Sequence, residues 1–240
     1  MLILRANRRL HLPMLTTNDL FTRNLGALTK AQQEVLHKSR AAVIGCGGLG
    51  CYVVEELVRL GLGSLQVFDP DIFSPSNCNR QLYALQETLG HNKAEVAARR
   101  ARQINPLCSV QACAQDFRQT TAEQALQVDI VLDCLDTIPT RLDLAELCLN
   151  RNLPLVHAAV HGWYGQVGVQ LPGTNLLTRL YPKPREQYPQ QSPPVLAFTV
   201  AVVASLQVAE VVKWLLNLSS PLHNTYMQID LKSCDFQLIA

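Results

Sequence analysis

No Cys-x-x-Cys pair occurs in this chain, although it holds eight cysteines. That absence removes the usual four-thiolate zinc arrangement, so no zinc site is expected. No N-terminal secretory leader is expected either, because Arg5, Arg8 and Arg9 interrupt the apolar character of residues 1–15. Nothing therefore points to an oxidising compartment. Cys46, Cys51, Cys78, Cys108, Cys113, Cys134, Cys148 and Cys234 read as reduced small hydrophobes of a cytoplasmic protein. Charge is also scarce: 17% of residues, with a net of +2. Binding of nucleic acid through bulk charge is thereby disfavoured. The longest apolar stretch, Leu196 to Leu218, carries Glu210 and Lys213, which are costly in lipid. It reads as a buried core or dimer helix, not a membrane span.

What the chain does have is glycine in one place. Gly45-Cys46-Gly47-Gly48-Leu49-Gly50 follows an apolar run, Ala41 to Ile44, and opens a helical pattern, Tyr52 to Leu60. A strand that ends in glycines and feeds a helix makes an anion site. The glycines allow a tight turn and close approach, and the helix N-terminus supplies free N–H groups and a positive dipole end. The next apolar run, Leu65 to Phe68, ends in Asp69, at the offset expected of a ribose-binding carboxylate. Gly45, Gly47, Gly48, Gly50 and Asp69 are thus candidate nucleotide contacts.

Strand and helix patterns alternate around this motif. Strands are expected near 41–45, 65–69, 108–113, 129–134 and 154–159, and helices near 29–39, 49–62, 87–104, 120–127 and 138–151. Continuous apolar strands between helices imply an α/β fold: a doubly wound, Rossmann-like, mostly parallel sheet with its ligand site at the strand carboxyl ends. Residues 1–18 are assigned to an N-terminal arm and 19–240 to one domain. A C-terminal antiparallel extension follows from the alternating run 164–171 and two terminal strands, 225–230 and 235–239. Between them lies a proline-rich stretch, 172–194, without helical period, which reads as a long mobile loop.

Downstream of Asp69 stand Asn77, Arg80 and Gln81, then Lys93 at a helix start, and Asp136 after a fourth strand. Two cations and another carboxylate beside a glycine loop exceed what a dinucleotide needs. A triphosphate carries about four negative charges and wants arginine, lysine and a Mg²⁺ held by a carboxylate. The constellation favours ATP over NAD. The bland alternatives are solvated surface cations and an Asp136 that merely caps the helix starting near Pro139.

In its ordered motifs the chain resembles the HesA/MoeB/ThiF family, relatives of the ubiquitin-activating enzymes. The motifs are Phe21-Thr-Arg23-Asn24, GCGGLG, FDPDIFSPSNCNRQ, Gly90-His-Asn-Lys93, Ile104-Asn-Pro106, LDCLDT, Gly165-Gln-Val and Ser205-Leu-Gln-Val-Ala-Glu210. The resemblance implies an adenylyltransferase that uses ATP and Mg²⁺. Its substrate would be the C-terminal Gly-Gly carboxylate of a small ubiquitin-like sulfur carrier of the ThiS or MoaD kind. It implies that Gly48 lies against the nucleotide and Asp69 binds the ribose. Asn77, Gln81, Arg80 and Lys93 belong to the nucleotide site, with Asn77, Arg80 and Lys93 on phosphate, and Asp136 binds Mg²⁺. Arg23 matches an arginine that reaches the phosphates from the partner subunit of a homodimer. Loop 172–194 lacks the cysteine of relatives that form a thioester or persulfide, so sulfur delivery falls to a separate donor protein. Alternatives are adenylation of another carboxylate (a peptide tail or a modified tRNA nucleoside) and a non-catalytic nucleotide-binding scaffold.

Overall fold

The computed structural model describes residues 17–119 and 126–239. Eight strands form one sheet: β1 (Arg40–Ile44), β2 (Ser64–Phe68), β3 (Ser109–Cys113), β4 (Ile130–Asp133), β5 (Leu155–His161), β6 (Tyr164–Gln170), β7 (Tyr226–Asp230) and β8 (Asp235–Ile239). Their spatial order is β3-β2-β1-β4-β5-β6-β7-β8. The first five are parallel, and β6, β7 and β8 add on antiparallel. The fold is the expected doubly wound sheet with its antiparallel extension.

The strand order turns back between β1 and β4, leaving a crevice at their carboxyl ends where ligands of this fold class sit. The sheet can be covered on both faces because its parallel strands are apolar on both. Along β1, Ala41 and Val43 join one core, Ala42 and Ile44 the other. The helices are α1 (Thr17–Phe21), α2 (Lys30–Lys38), α3 (Gly48–Leu60), α4 (Lys93–Ile104), α5 (Ile138–Asn150), α6 (Leu176–Leu180) and α7 (Ala197–Leu215). The first core takes residues from α3, α4 and α7; the second takes them from α5 and α6.

α7 is long and apolar enough to cross a membrane by length and composition. Here it buries Val203, Ala204, Val208 and Val211 in the first core. Two of its polar residues are matched: the buried Gln207 amide donates to the carbonyls of Asp133 and Val156, both at 2.9 Å, and Glu210 pairs with Lys213 at 2.6 Å, whereas the buried Thr199 hydroxyl has no partner.

Two local expectations need correction. α4 begins at Lys93, not near 87, because the Asn92 side chain accepts the Glu95 N–H at 3.1 Å and caps it there; a short 3₁₀ turn, Gln86–Thr88, precedes it. The stretch 172–194 is not structureless. It contains α6, held down by the buried Leu176 and Leu177, and a 3₁₀ turn, Arg185–Gln187. Of the helix expected over 120–127, residues 120–125 lie outside the described residues, and so do 1–16 of the N-terminal arm.

Candidate functional site

The glycine loop is shaped by close backbone contacts. Gly45 has φ +94°, and a Cβ on it would stand 2.7 Å from the Cys134 carbonyl oxygen. A Cβ on Gly50 would stand 2.0 Å from the Gly45 carbonyl oxygen. Gly50 is therefore a packing glycine: it lets α3 start directly on β1, and it does not line the crevice. Gly47 is the N-cap of α3 and offers no side-chain cap, so the first-turn N–H groups remain available to an anion.

The crevice is a cleft of about 410 Å³. Gly45, Gly47, Gly48, Asp69, Asn77, Arg80, Gln81, Lys93 and Asp136 all line it. Segments separated by more than fifty residues are thus brought together by the convergence of β1, β2 and β4 at one edge. Asp69 is buried and braces the loop: its Oδ2 accepts the Cys46 N–H at 2.6 Å and its Oδ1 the Asp71 N–H at 2.9 Å. Burial pushes its pKa up, and the Lys93 charge and the two N–H donors oppose the rise.

Lys93 is also buried, and its Nζ is held by the Asp71 carboxylate at 2.9 Å. The Arg80 guanidinium donates from one terminal nitrogen to the Ser76 carbonyl at 3.0 Å and to Asn79 Oδ1 at 2.9 Å, which holds its head group at the rim. Asn77 is buried, and its Oδ1 accepts the Ser74 N–H at 2.9 Å. Gln81 is 6% exposed, and its Oε1 has no partner. That oxygen is itself closed off from solvent, so it is an unpaired buried acceptor behind the cleft wall.

Asp136 does not cap α5, whose N-cap is Thr137. Its Oδ2 instead accepts the Ser192 hydroxyl at 2.6 Å. Glycine N–H groups, the Lys93 and Arg80 cations and a hard carboxylate oxygen fit a nucleoside triphosphate with a hard divalent cation. Arg23 does not line this cleft; it is exposed in the 3₁₀ turn Thr22–Asn24.

Sequence reasoning missed Arg141, which also lines the cleft. It lies on α5 five residues after Asp136, is only 5% exposed, and donates to the carbonyls of Leu135 and, at 2.7 Å, Ala158. Asp71, Asp116 and Ser192 were likewise not singled out, yet line the wall. His161 is the last residue of β5, and Trp163 lies in the turn between β5 and β6, its ring 4.8 Å from that of Phe198.

Fold and cleft together define a doubly wound α/β protein whose site is built for a polyanion. Comparison with known proteins narrows this. The ThiF family profile matches residues 21–240, and the chain belongs to that family. It is 38% identical over 138 residues to a tRNA threonylcarbamoyladenosine dehydratase of Bacillus subtilis, a match spanning 57% of this chain and 54% of that protein. It is 33% identical over 219 residues to a sulfur carrier protein adenylyltransferase of Thermus thermophilus, spanning 85% of this chain and 79% of that one. A crystal structure of Escherichia coli MccB with ATP superposes with a TM-score of 0.72 at 23% identity, covering 87% of this chain and 65% of that one.

Proposed function

We propose that this protein adenylates the C-terminal Gly-Gly carboxylate of a small ubiquitin-like sulfur carrier, using ATP and Mg²⁺ and releasing pyrophosphate. One observation carries the reading: Arg80, Lys93, Asp136 and the bare N-terminus of α3 share a single cleft. Kinship supports it, since relatives matched over most of their length are sulfur carrier protein adenylyltransferases.

The chemistry asks little of the protein beyond placement. A terminal carboxylate has a pKa near about 3.5 and is already ionised at neutral pH, so no general base is required. Its oxygen attacks the α-phosphorus, one P–O bond forms, and the bond to pyrophosphate breaks. Arg80 and Lys93 stabilise charge on the phosphates. The α3 N–H groups and Asn77 hold the chain of phosphates in line, and Asp69 takes the ribose. Asp136 would hold a Mg²⁺ ion, which neutralises the leaving group when bound. Arg23 lies outside its own cleft, which suits delivery to the cleft of a second subunit in a homodimer. Sulfur then comes from a separate protein.

A second reading has its own support. The 38% identity to a tRNA-modifying protein favours a carboxylate on a tRNA nucleoside, although that match covers little more than half of the chain. The test is ATP–pyrophosphate exchange. Exchange that requires a carrier ending in Gly-Gly supports the first reading. Exchange stimulated by tRNA, and not by any carrier, replaces it with the second.

A further inference from the structure

Behind the cleft lies a buried polar assembly that the proposed chemistry does not use. Asp133 and His157 are Cα partners in the β4–β5 register, and both are 0% exposed. His157 Nδ1–H donates to Asp133 Oδ2 at 2.6 Å. Burial lowers the imidazole pKa, which keeps the ring neutral. Its Nε2 is then an acceptor. It meets the Gln166 amide at 3.0 Å and the Tyr181 hydroxyl at 3.2 Å, and Gln166 also donates to Tyr181. Tyr181 ends α6 and so belongs to the segment 172–194 that crosses from β6 to α7.

On its other side the assembly grips the loop that carries Asp136. Asp133 Oδ1 accepts the Leu135 N–H at 3.0 Å, while Arg141 donates to the Leu135 carbonyl and lies 3.8 Å from Asp133 Oδ2. Both backbone polar groups of the residue before Asp136 are thus held by buried charged side chains. The crossing segment returns to the same point at its far end, where Ser192 donates to Asp136. Asp136 is therefore attached to this segment twice: directly through Ser192, and indirectly through Leu135, Asp133, His157 and Tyr181.

Such a network is expensive. A buried ion pair with a neutral histidine is often no better for stability than apolar packing, but when satisfied it rigidifies one arrangement. We propose that His157 is a positioning residue that links the crossing segment to the Asp136 loop, so that the segment is seated and Asp136 is set for its metal as one event. This rests on the reading of Asp136 as the magnesium carboxylate and adds a coupling to it.

Tyr181→Phe is the mildest test, because it removes only the hydroxyl; His157→Gln follows it. Two quantities are read on the full chain. The first is the ratio of affinities for a non-hydrolysable ATP analogue with and without Mg²⁺, by calorimetry. The second is the rate of tryptic cleavage at the exposed Arg185–Glu186 bond. The link predicts that Tyr181→Phe cuts the magnesium ratio at least about fivefold, the lower end of ordinary site-to-site coupling, and speeds cleavage by a similar factor. Metal-free affinity stays within about twofold, since the phosphate cations are untouched. An unchanged ratio overturns the link, even if cleavage accelerates, because Tyr181 is then only an anchor of the segment. If the wild-type chain binds no nucleotide, the proposed function fails instead, and the link is judged on cleavage alone. Asp133→Asn touches no residue of the segment. It accelerates the Arg185–Glu186 cut if the link exists and leaves it unchanged if it does not.

Discussion

Replacing Gly50 and Gly48 by alanine separates what the glycine loop does for the fold from what it does for the ligand. A Cβ on Gly50 would lie 2.0 Å from the Gly45 carbonyl oxygen, more than 1 Å inside the usual contact limit of about 3.4 Å. Gly45 has little room to yield, because its own φ is +94° and it abuts the Cys134 carbonyl. The backbone of β1 or α3 must move, and overpacking of this kind costs about 1–3 kcal/mol, at the upper end here. For a chain of this size that lowers Tm by about 6–12 °C. A Cβ on Gly48, by contrast, would meet only side chains, the two Val200 methyls at 3.3 and 3.5 Å and the Arg80 Cγ at 3.9 Å, and a small side-chain shift relieves the closest contact. Gly48→Ala should therefore keep its Tm but lose ATP affinity, because under the proposed function phosphate approaches the backbone at this position. Thermal unfolding and calorimetric ATP titration of both variants check this. Equal Tm values for the two, or undiminished ATP affinity in Gly48→Ala, would refute the assignment of packing to one glycine and ligand contact to the other.

Other consequences are as direct. Under the proposed function, Arg80→Ala should lower carrier-dependent ATP–pyrophosphate exchange by about 10²–10⁴-fold with Tm unchanged, the effect expected of a cation that stabilises phosphate charge. If Arg23 acts in trans as proposed, mixing Arg23→Ala with Arg80→Ala protein should restore part of the exchange that each lacks alone, because a mixed dimer would rebuild one complete site. His157 supplies a pH signature. Its folded pKa lies below the unfolded value of about 6.5, so the unfolded chain binds the proton first and stability falls as pH drops through that value. Urea midpoints measured from pH 7.5 to 5.5 should decline, and the decline should flatten in His157→Gln.

Much of the fold was legible because its signals are local. Apolar runs mark β1, β2 and β4, and the glycine string and Asp69 mark the nucleotide edge. What the sequence concealed depends on distance. α6 is five residues long, too short to show a helical period, and it is defined by Leu176 and Leu177 reaching the core. Arg141 looks like one more polar position on α5 until the fold buries it against β5. The Asp133–His157 contact is a matter of strand register between segments 24 residues apart, and no spacing rule reports register. A histidine breaking an apolar strand beside an aspartate-ended neighbour was the one available hint. Gly50 errs in the opposite direction: the motif assigns it to the ligand, and the contacts assign it to packing.

The central claim is that the cleft directs a carboxylate onto the α-phosphorus of ATP. Parallel incubations of the protein and a Gly-Gly-ending carrier with ATP radiolabelled at either the α- or the γ-phosphate test it most directly. The account predicts that label from the α-position appears on the carrier, and that none does when the tail carboxylate is amidated. Transfer of the γ-label, or no transfer to any carboxylate-bearing substrate, would contradict it.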